Sequence, residues 1–229
     1  MVSEKYVLLV GFYQTFREDR DKELLFCLQE NIKNRLISEL VVFNETDDEP
    51  VKSDKITYIK TDKRLTYKQY FEYANKHLEK RRCIISNVDI VISEDIQKLD
   101  SIKLEGAFVC LTRWDINGVA LEMGADSQDT WIFQSPVNEK LTNSADYDLG
   151  VLFSDNVLSL LAYRSGYMPF NPSKDIVTKH VHGSDFRNPS KESVNEALRV
   201  TDGSYMFVHP NKMGEKVDVD FMTSSKTYD

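Results

Sequence analysis

Arg82-Cys-Ile-Ile-Ser-Asn-Val-Asp-Ile-Val-Ile92 reads as an apolar strand that delivers a polar Asn87-Val-Asp89 step at its end and then turns apolar again. Burying an isolated carboxylate in a core strand costs on the order of several kcal/mol. A strand that runs straight into an acid therefore either ends in a solvated turn or holds something there. In α/β proteins the occupant at the carboxyl end of the sheet is commonly a cation or a phosphate. The step by itself leaves both readings open.

The surrounding sequence supplies the sheet. Lys5 to Val10 predicts a buried strand ending in Gly11-Phe-Tyr-Gln14, and Leu24, Leu25, Leu28 and Ile32 form a helical stripe within Asp19 to Lys33. Leu40-Val-Val-Phe43 predicts a second strand, closed by the acidic loop Asn44-Glu-Thr-Asp-Asp-Glu-Pro50. This βαβ unit implies a parallel pair with a right-handed crossover. Ile56 to Ile59 reads as a further strand, and Thr66 to Glu79 as a helix with Thr66 as N-cap. Downstream, Ala107 to Thr112 and Thr130 to Phe133 read as strands. Asp155 to Ser165 reads as a helix with a polar cap, closed by Gly166, with Asn171-Pro172 as a stop. The expectation is an α/β domain with an antiparallel addition over residues 1–188. Residues 189–229 are expected to form an arm packing on that domain or a link to a further one, with a helix over Ser190 to Val200, a strand over Ser204 to His209 and a frayed end.

Composition narrows the function classes. The 229 residues are 41% hydrophobic and 11% aromatic, enough for a sizeable core without a staple. A net charge of −8 argues against nucleic-acid binding, which needs a basic field to neutralise phosphates. Cys27, Cys83 and Cys110 sit in apolar runs without metal-type spacing and read as reduced core thiols, pointing to a cytoplasmic location. The apolar run Tyr6 to Val10 is too short for a signal peptide or a membrane span, so no membrane segment is expected.

Seven segments in order then carry a resemblance: Arg64-Leu-Thr-Tyr67, Ser86-Asn-Val-Asp-Ile90, Leu111-Thr-Arg-Trp-Asp115, Asp126-Ser-Gln-Asp-Thr-Trp-Ile-Phe133, Ser154-Asp-Asn156, Asn171-Pro-Ser173 and His180-Val-His182. Together they resemble glycosyltransferases of the GT-A fold, a mixed, mostly parallel sheet flanked by helices. They are particularly similar to the glycosyltransferase domain encoded by large chlorella-infecting viruses. The similarity runs from about residue 6 to residue 188. It implies metal-dependent transfer of a hexose or deoxyhexose from a nucleoside-diphosphate sugar to a hydroxyl of an acceptor glycan or glycoprotein. The donors implied are UDP-glucose or a dTDP- or UDP-deoxysugar such as rhamnose. The implied cofactor is Mn2+ or Mg2+, and a viral source would place the protein in the host cytoplasm.

The chemistry of such a transfer assigns roles. A leaving diphosphate needs its charge stabilised, a task for a divalent cation with hard ligands. The resemblance makes Asp89 the metal ligand, with Asn87 standing where the family's Asp-x-Asp step has its first acid and acting as a hydrogen-bonding neighbour. The site then has one fewer charge and needs a further ligand. His180 and His182, at i and i+2 on an extended segment, face one side and can supply it, His182 first. Arg64 and Tyr67 match the family's Arg-x-x-Tyr step at the nucleotide or diphosphate, and Arg187 covers the phosphates from the other side. Gly11, Phe12 and Tyr13 are expected to receive the base, beside Asn44 and Glu45, with Arg17 as a further candidate. Asp155 is either the acceptor-side catalytic carboxylate or an ordinary N-cap. Of Asp126 and Asp129, one faces the sugar and the other fixes a loop. Trp114 and Trp131 either line the sugar site or are structural. Two alternatives stand beside this reading. One is a sugar-nucleotidyltransferase, although Gly11 to Arg17 is not a glycine-rich phosphate loop. The other is a non-catalytic nucleotide-sugar or glycan-binding module.

Overall fold

The computed structural model describes residues 5–115, 124–183 and 196–224. In chain order, its first half contains β1 (Tyr6–Phe12), α1 (Glu18–Lys33), β2 (Ile37–Asn44), β3 (Ile56–Lys60), α2 (Tyr67–His77), β4 (Arg82–Ser86) and β5 (Ile90–Ile92). The second half contains β6 (Ala107–Thr112), β7 (Trp114–Asp115), β8 (Gln128–Gln134), α3 (Glu139–Ser144), α4 (Ser154–Arg164), β9 (Met168–Phe170), β10 (Thr178–His180), α5 (Glu196–Arg199), β11 (Ser204–Val208) and β12 (Val219–Thr223).

Seven of these strands form one sheet in the order β3-β2-β1-β4-β8-β6-β9. Every neighbouring pair is parallel except the two that involve β8. The chain reverses its direction of travel across the sheet between β1 and β4, which makes their carboxyl ends a topological switch point. β1 reads as an unbroken apolar run because both of its faces are covered. Val7 and Leu9 join the cluster under α2, α3 and α4, while Tyr6, Leu8 and Val10 join the cluster under α1.

The local rules explain most of the elements. Thr66 caps α2 through a full capping box with Gln69, as its sequence predicts. Cys27, Cys83 and Cys110 are buried and unpaired. β8 extends two residues earlier than the apolar pattern of Thr130 to Phe133 predicts, so Gln128 and Asp129 are strand residues.

Two departures matter for the site. After Ser86 the chain leaves the main sheet, and β5 pairs with β10 in a separate three-stranded sheet with β7. α1 compensates β5's other edge: Asn31 donates to the Ile90 carbonyl and accepts from the Ile92 amide, both at 2.8 Å. The second departure is α4. Its N-cap is Phe153, in the left-handed region at φ 65° and making no side-chain cap, so Asp155 lies inside the first turn and is not the cap. The helix ends at Ser165 and Gly166, the latter at φ +90°, and β9 intervenes before Asn171-Pro172, which therefore stops no helix.

The hairpin β11–β12 packs on α4 through Met206 and Val208 against Leu160. No helix among the described residues is long and apolar enough to cross a membrane.

Candidate functional site

Because β8 runs against its neighbours, its amino end lies at the same edge of the sheet as the carboxyl ends of β1, β2 and β4. Polar side chains from all four strands meet along that edge in three groups.

The first group surrounds Asp89. His180 Nε2 lies 3.2 Å from Asp89 Oδ2, and Arg20 Nη2 donates to the same oxygen. Arg20 also donates to the Val181 carbonyl at 3.1 Å and to Glu23 at 2.8 Å. Glu23 in turn accepts from the Gly183 amide at 2.8 Å, and the Val181 amide donates to the Asp89 carbonyl at 2.9 Å. The histidine segment is thus tied to α1 on one side and to the end of β4 on the other. Burial acts to raise the Asp89 carboxyl, but His180 and Arg20 together hold it well below the usual carboxylate range. Burial, reinforced by Arg20, lowers His182.

The second group joins Asn87, Asp129 and Arg113. Asn87 Nδ2 donates to Asp129 Oδ1 and Arg113 Nη1 to Asp129 Oδ2, both at 2.6 Å. Burial raises the Asp129 carboxyl even with Arg113 against it. Asp155, in the first turn of α4, accepts from the amide of Gln128, the β8 residue before Asp129, at 3.2 Å. Burial first, and then the charge of Asp129, push its carboxyl up to about 7.

The third group is a cleft of about 430 Å³ lined by Tyr13, Gln14, Glu45, Thr46, Asp47 and Asp48. Arg64 lies over the Tyr13 ring at 5.2 Å from its centroid. Gly150, at φ +79°, lies beside Arg64, and a Cβ atom there would stand 3.8 Å from Asn87 Oδ1 and 3.9 Å from Arg64 Nη1. Burial raises the Glu45 carboxyl, with Arg64 opposing.

Tyr13, Glu45, Arg64, Asn87, Asp89, Asp129, Asp155, His180 and His182 therefore converge, while other expected contacts do not. Phe12 is buried core. Gly11 is small because the Tyr70 hydroxyl approaches it, a Cβ there standing 2.7 Å from that oxygen. Asn44 spends its side chain on its own loop, donating to the Asp48 carbonyl at 2.7 Å and accepting from Thr46. Arg17 is exposed and bidentate to Asp19. Tyr67 is wholly enclosed, its ring 5.1 Å from Trp131 and 5.2 Å from Tyr147, and does not reach the cleft. Trp131 is equally buried, and Trp114 Nε1 is bonded to the Ser173 carbonyl at 2.9 Å. Arg187 and the side chain of Asp126 lie outside the described residues.

Sequence reasoning passed over Arg20, Glu23 and Arg113. A signal existed for Arg20, which stands four residues before Leu24 and so shares the buried face with Leu24, Cys27, Leu28 and Asn31. An arginine on an apolar stripe needs a buried partner.

Asp89, His180 and His182 offer ligand atoms all within 4.8 Å of one another. Two side-chain atoms of these residues, Asp89 Oδ1 and His182 Nε2, are buried without a hydrogen-bond partner. A buried acceptor left unmatched is costly. One carboxylate oxygen with neighbouring imidazole nitrogen is a donor set that suits a divalent cation, so the residues fit a metal.

Neither family models nor curated protein sequences give a match to this chain. Solved structures do. The mannosyltransferase PcManGT from Pyrobaculum calidifontis, solved with GDP-Man and Mn2+, aligns at TM-score 0.52 and 12% identity over 79% of this chain. The chain spans 58% of that protein's length. HddC from Yersinia pseudotuberculosis aligns at 0.48 with 14% identity, covering 78% of this chain and 93% of its own. A Bacillus anthracis protein assigned as a glucose-1-phosphate thymidylyltransferase, solved with sucrose, aligns at 0.48 with 11% identity, covering 77% and 89%. The fold is the GT-A-like α/β fold of nucleotide-sugar transferases.

Proposed function

We propose that this chain is a metal-dependent glycosyltransferase that moves a hexose or deoxyhexose from a nucleoside-diphosphate sugar to an acceptor glycan hydroxyl. The observation that carries the reading is the pair of buried, unpartnered side-chain atoms, Asp89 Oδ1 and His182 Nε2, at the switch point of a GT-A-like sheet. Those two residues would hold the cation, which when bound neutralises charge on a departing diphosphate. His180 and Arg20 orient the Asp89 carboxylate through its other oxygen. Arg64, over the Tyr13 ring and beside Gly150, would meet the nucleotide and its phosphates. Asn87 and Arg113 fix Asp129 from both sides. Asp155, with its carboxyl near neutrality, is suited to exchange a proton with an acceptor hydroxyl.

UDP-glucose and dTDP- or UDP-deoxysugars are the first donors to try, on the resemblance to the chlorella-virus domain. The test is a thermal-shift panel of nucleoside diphosphates and nucleotide sugars with and without Mn2+, followed by donor hydrolysis and transfer assays. A ligand that binds only the native state must raise stability. Mn2+-dependent stabilisation by at least one nucleoside diphosphate, with turnover of its sugar, is expected. Stabilisation without turnover would make the chain a binding module, and release of pyrophosphate from a nucleoside triphosphate would make it a nucleotidyltransferase.

A further inference from the structure

Arg20 is only 4% exposed, and its guanidinium is held on three sides by Asp89, Glu23 and the Val181 carbonyl. It shares Asp89 Oδ2 with His180, so both donors converge on one oxygen and leave Oδ1 unpartnered. A cation seated on Oδ1 and His182 Nε2 would therefore lie on the far side of a single carboxylate from a fixed, buried positive charge.

Among the described residues, the ligand set itself offers a bare dication little negative charge. The set has one carboxylate, already ion-paired with Arg20, and the two imidazoles add no negative charge. The nearby Asp129 is matched by Arg113 at 2.6 Å. Glu23 accepts from the Gly183 amide and shares Arg20 with Asp89, so one guanidinium serves two carboxylates. Hard divalent ions in protein-only sites usually gather several carboxylates. Like charges at such short range, in a site partly withdrawn from water, repel strongly. A diphosphate changes the sign of the problem, because the cation and the guanidinium are then attracted to the same anion.

We propose that Arg20 is a positioning residue that orients Asp89 Oδ1 and makes cation binding conditional on the nucleotide diphosphate, so that metal and nucleotide enter as a coupled pair. This rests on the nucleotide-sugar reading of the site. Coupling of this kind is reciprocal, so it is measurable from either ligand.

The experiment uses the full chain in wild-type, Arg20→Gln and Arg20→Lys forms, with folding checked by melting temperature. Mn2+ alone is titrated by calorimetry, and the affinity for UDP, or for whichever nucleoside diphosphate stabilises the protein, is measured with and without Mn2+. Gln keeps an N–H donor for Asp89 but no charge; Lys keeps the charge. The wild type is expected to bind bare Mn2+ weakly and the nucleotide about tenfold or more tighter with Mn2+ present. Arg20→Gln is expected to bind bare Mn2+ about tenfold or more tighter than wild type, with the coupling reduced, and Arg20→Lys to resemble wild type. A wild type whose nucleotide affinity ignores Mn2+ while bare Mn2+ binds tightly overturns the proposal without any variant. So does an Arg20→Gln protein with no gain in bare Mn2+ affinity, while intact wild-type coupling would leave the nucleotide-sugar reading standing. Absence of any nucleoside-diphosphate binding, with or without Mn2+, removes that reading and the proposal together.

Discussion

Asn87 donates its side-chain amide to Asp129 Oδ1 at 2.6 Å, and this contact accounts for an amide at residue 87. A carboxylate at residue 87 would face a second carboxylate at hydrogen-bond distance, and two such groups cannot both ionise cheaply. Asn87→Asp is therefore expected to retain a proton between residues 87 and 129. The shared proton raises a folded-state pKa above its unfolded value, so the stabilisation is present in acid and lost as pH rises. The variant should lose about 1 to 3 kcal/mol relative to wild type at pH 8 and less at pH 5, read by urea denaturation. An equal deficit at both pH values would contradict the contact.

Asp155 makes the next prediction, and the capping interpretation no longer competes because Phe153 occupies the cap. Its carboxyl is raised from 3.8 to about 7. Between those values the unfolded chain ionises while the folded protein does not, so this group's contribution is full in acid and lost as pH rises toward 7. Asp155→Asn should flatten the stability profile from pH 4 to pH 7 and leave the protein no less stable at pH 8. Transfer should fall about 10²-fold or more with donor affinity retained. Melting temperatures across that range, with one transfer assay, check both parts.

Removing the Asp89 carboxylate should not be the mild change that a strand-end acid implies in the sequence. Its partner Arg20 is buried, and Asp89→Ala leaves that charge with Glu23 as its remaining carboxylate partner among the described residues. The expected cost is roughly 3 kcal/mol, measured by denaturation at pH 7, together with loss of metal-assisted nucleotide binding. Because the Asp89 carboxyl is held low in the folded state, the wild-type advantage should shrink as pH falls below the ordinary carboxylate range. Asp89→Ala combined with Arg20→Met should recover much of the stability without restoring metal binding.

The two histidines separate by their partners. His182 Nε2 is buried and unpartnered, whereas His180 Nε2 is engaged with Asp89. His182→Ala should reduce the Mn2+-dependent gain in nucleotide affinity about tenfold or more, in line with the loss of a ligand. His180→Gln, which retains a donor for Asp89, should keep most of that gain. The reverse ranking in a nucleotide titration with Mn2+ would exchange the roles.

Gly11 tests the close approach at the end of β1. Its Cβ would stand 2.7 Å from the Tyr70 hydroxyl, so Gly11→Ala should cost about 1 to 3 kcal/mol through overpacking. Adding Tyr70→Phe should restore most of that loss in denaturation experiments. A loss unrelieved by Tyr70→Phe would point to a role for Gly11 beyond this close approach.

Much of the fold was legible because its signals are local. The apolar runs of β1 and β4, the stripe of α1 and the Thr66–Gln69 box each depend on neighbours a few residues away. The strands beyond those patterns were harder to see. β5, β7, β9 and β10 have two or three residues each, too few for a period to emerge. For the site, motif residues such as Asp89, Asn87, Asp129, Asp155 and the two histidines carried recognisable chemistry. Tyr67 and Asn44 carried it too, yet Tyr67 packs against Trp131 and Asn44 closes its own loop.

The sequence by itself determined an α/β layer order, a core covered on both faces of β1 and a polar break at the end of β4. These follow from periodicity and burial, which act along the chain. Only the tertiary structure decided which charges meet. Arg20 and Asp89 are 69 residues apart, and Asp89 and His180 are 91 apart. No helical or strand period spans such distances. Their meeting depends on the crossover that lays α1 against β5 and on the small sheet that brings β10 alongside it. In that enclosed setting, unlike in a solvated helix or turn, each buried charge requires a partner, and the set of partners defines the site.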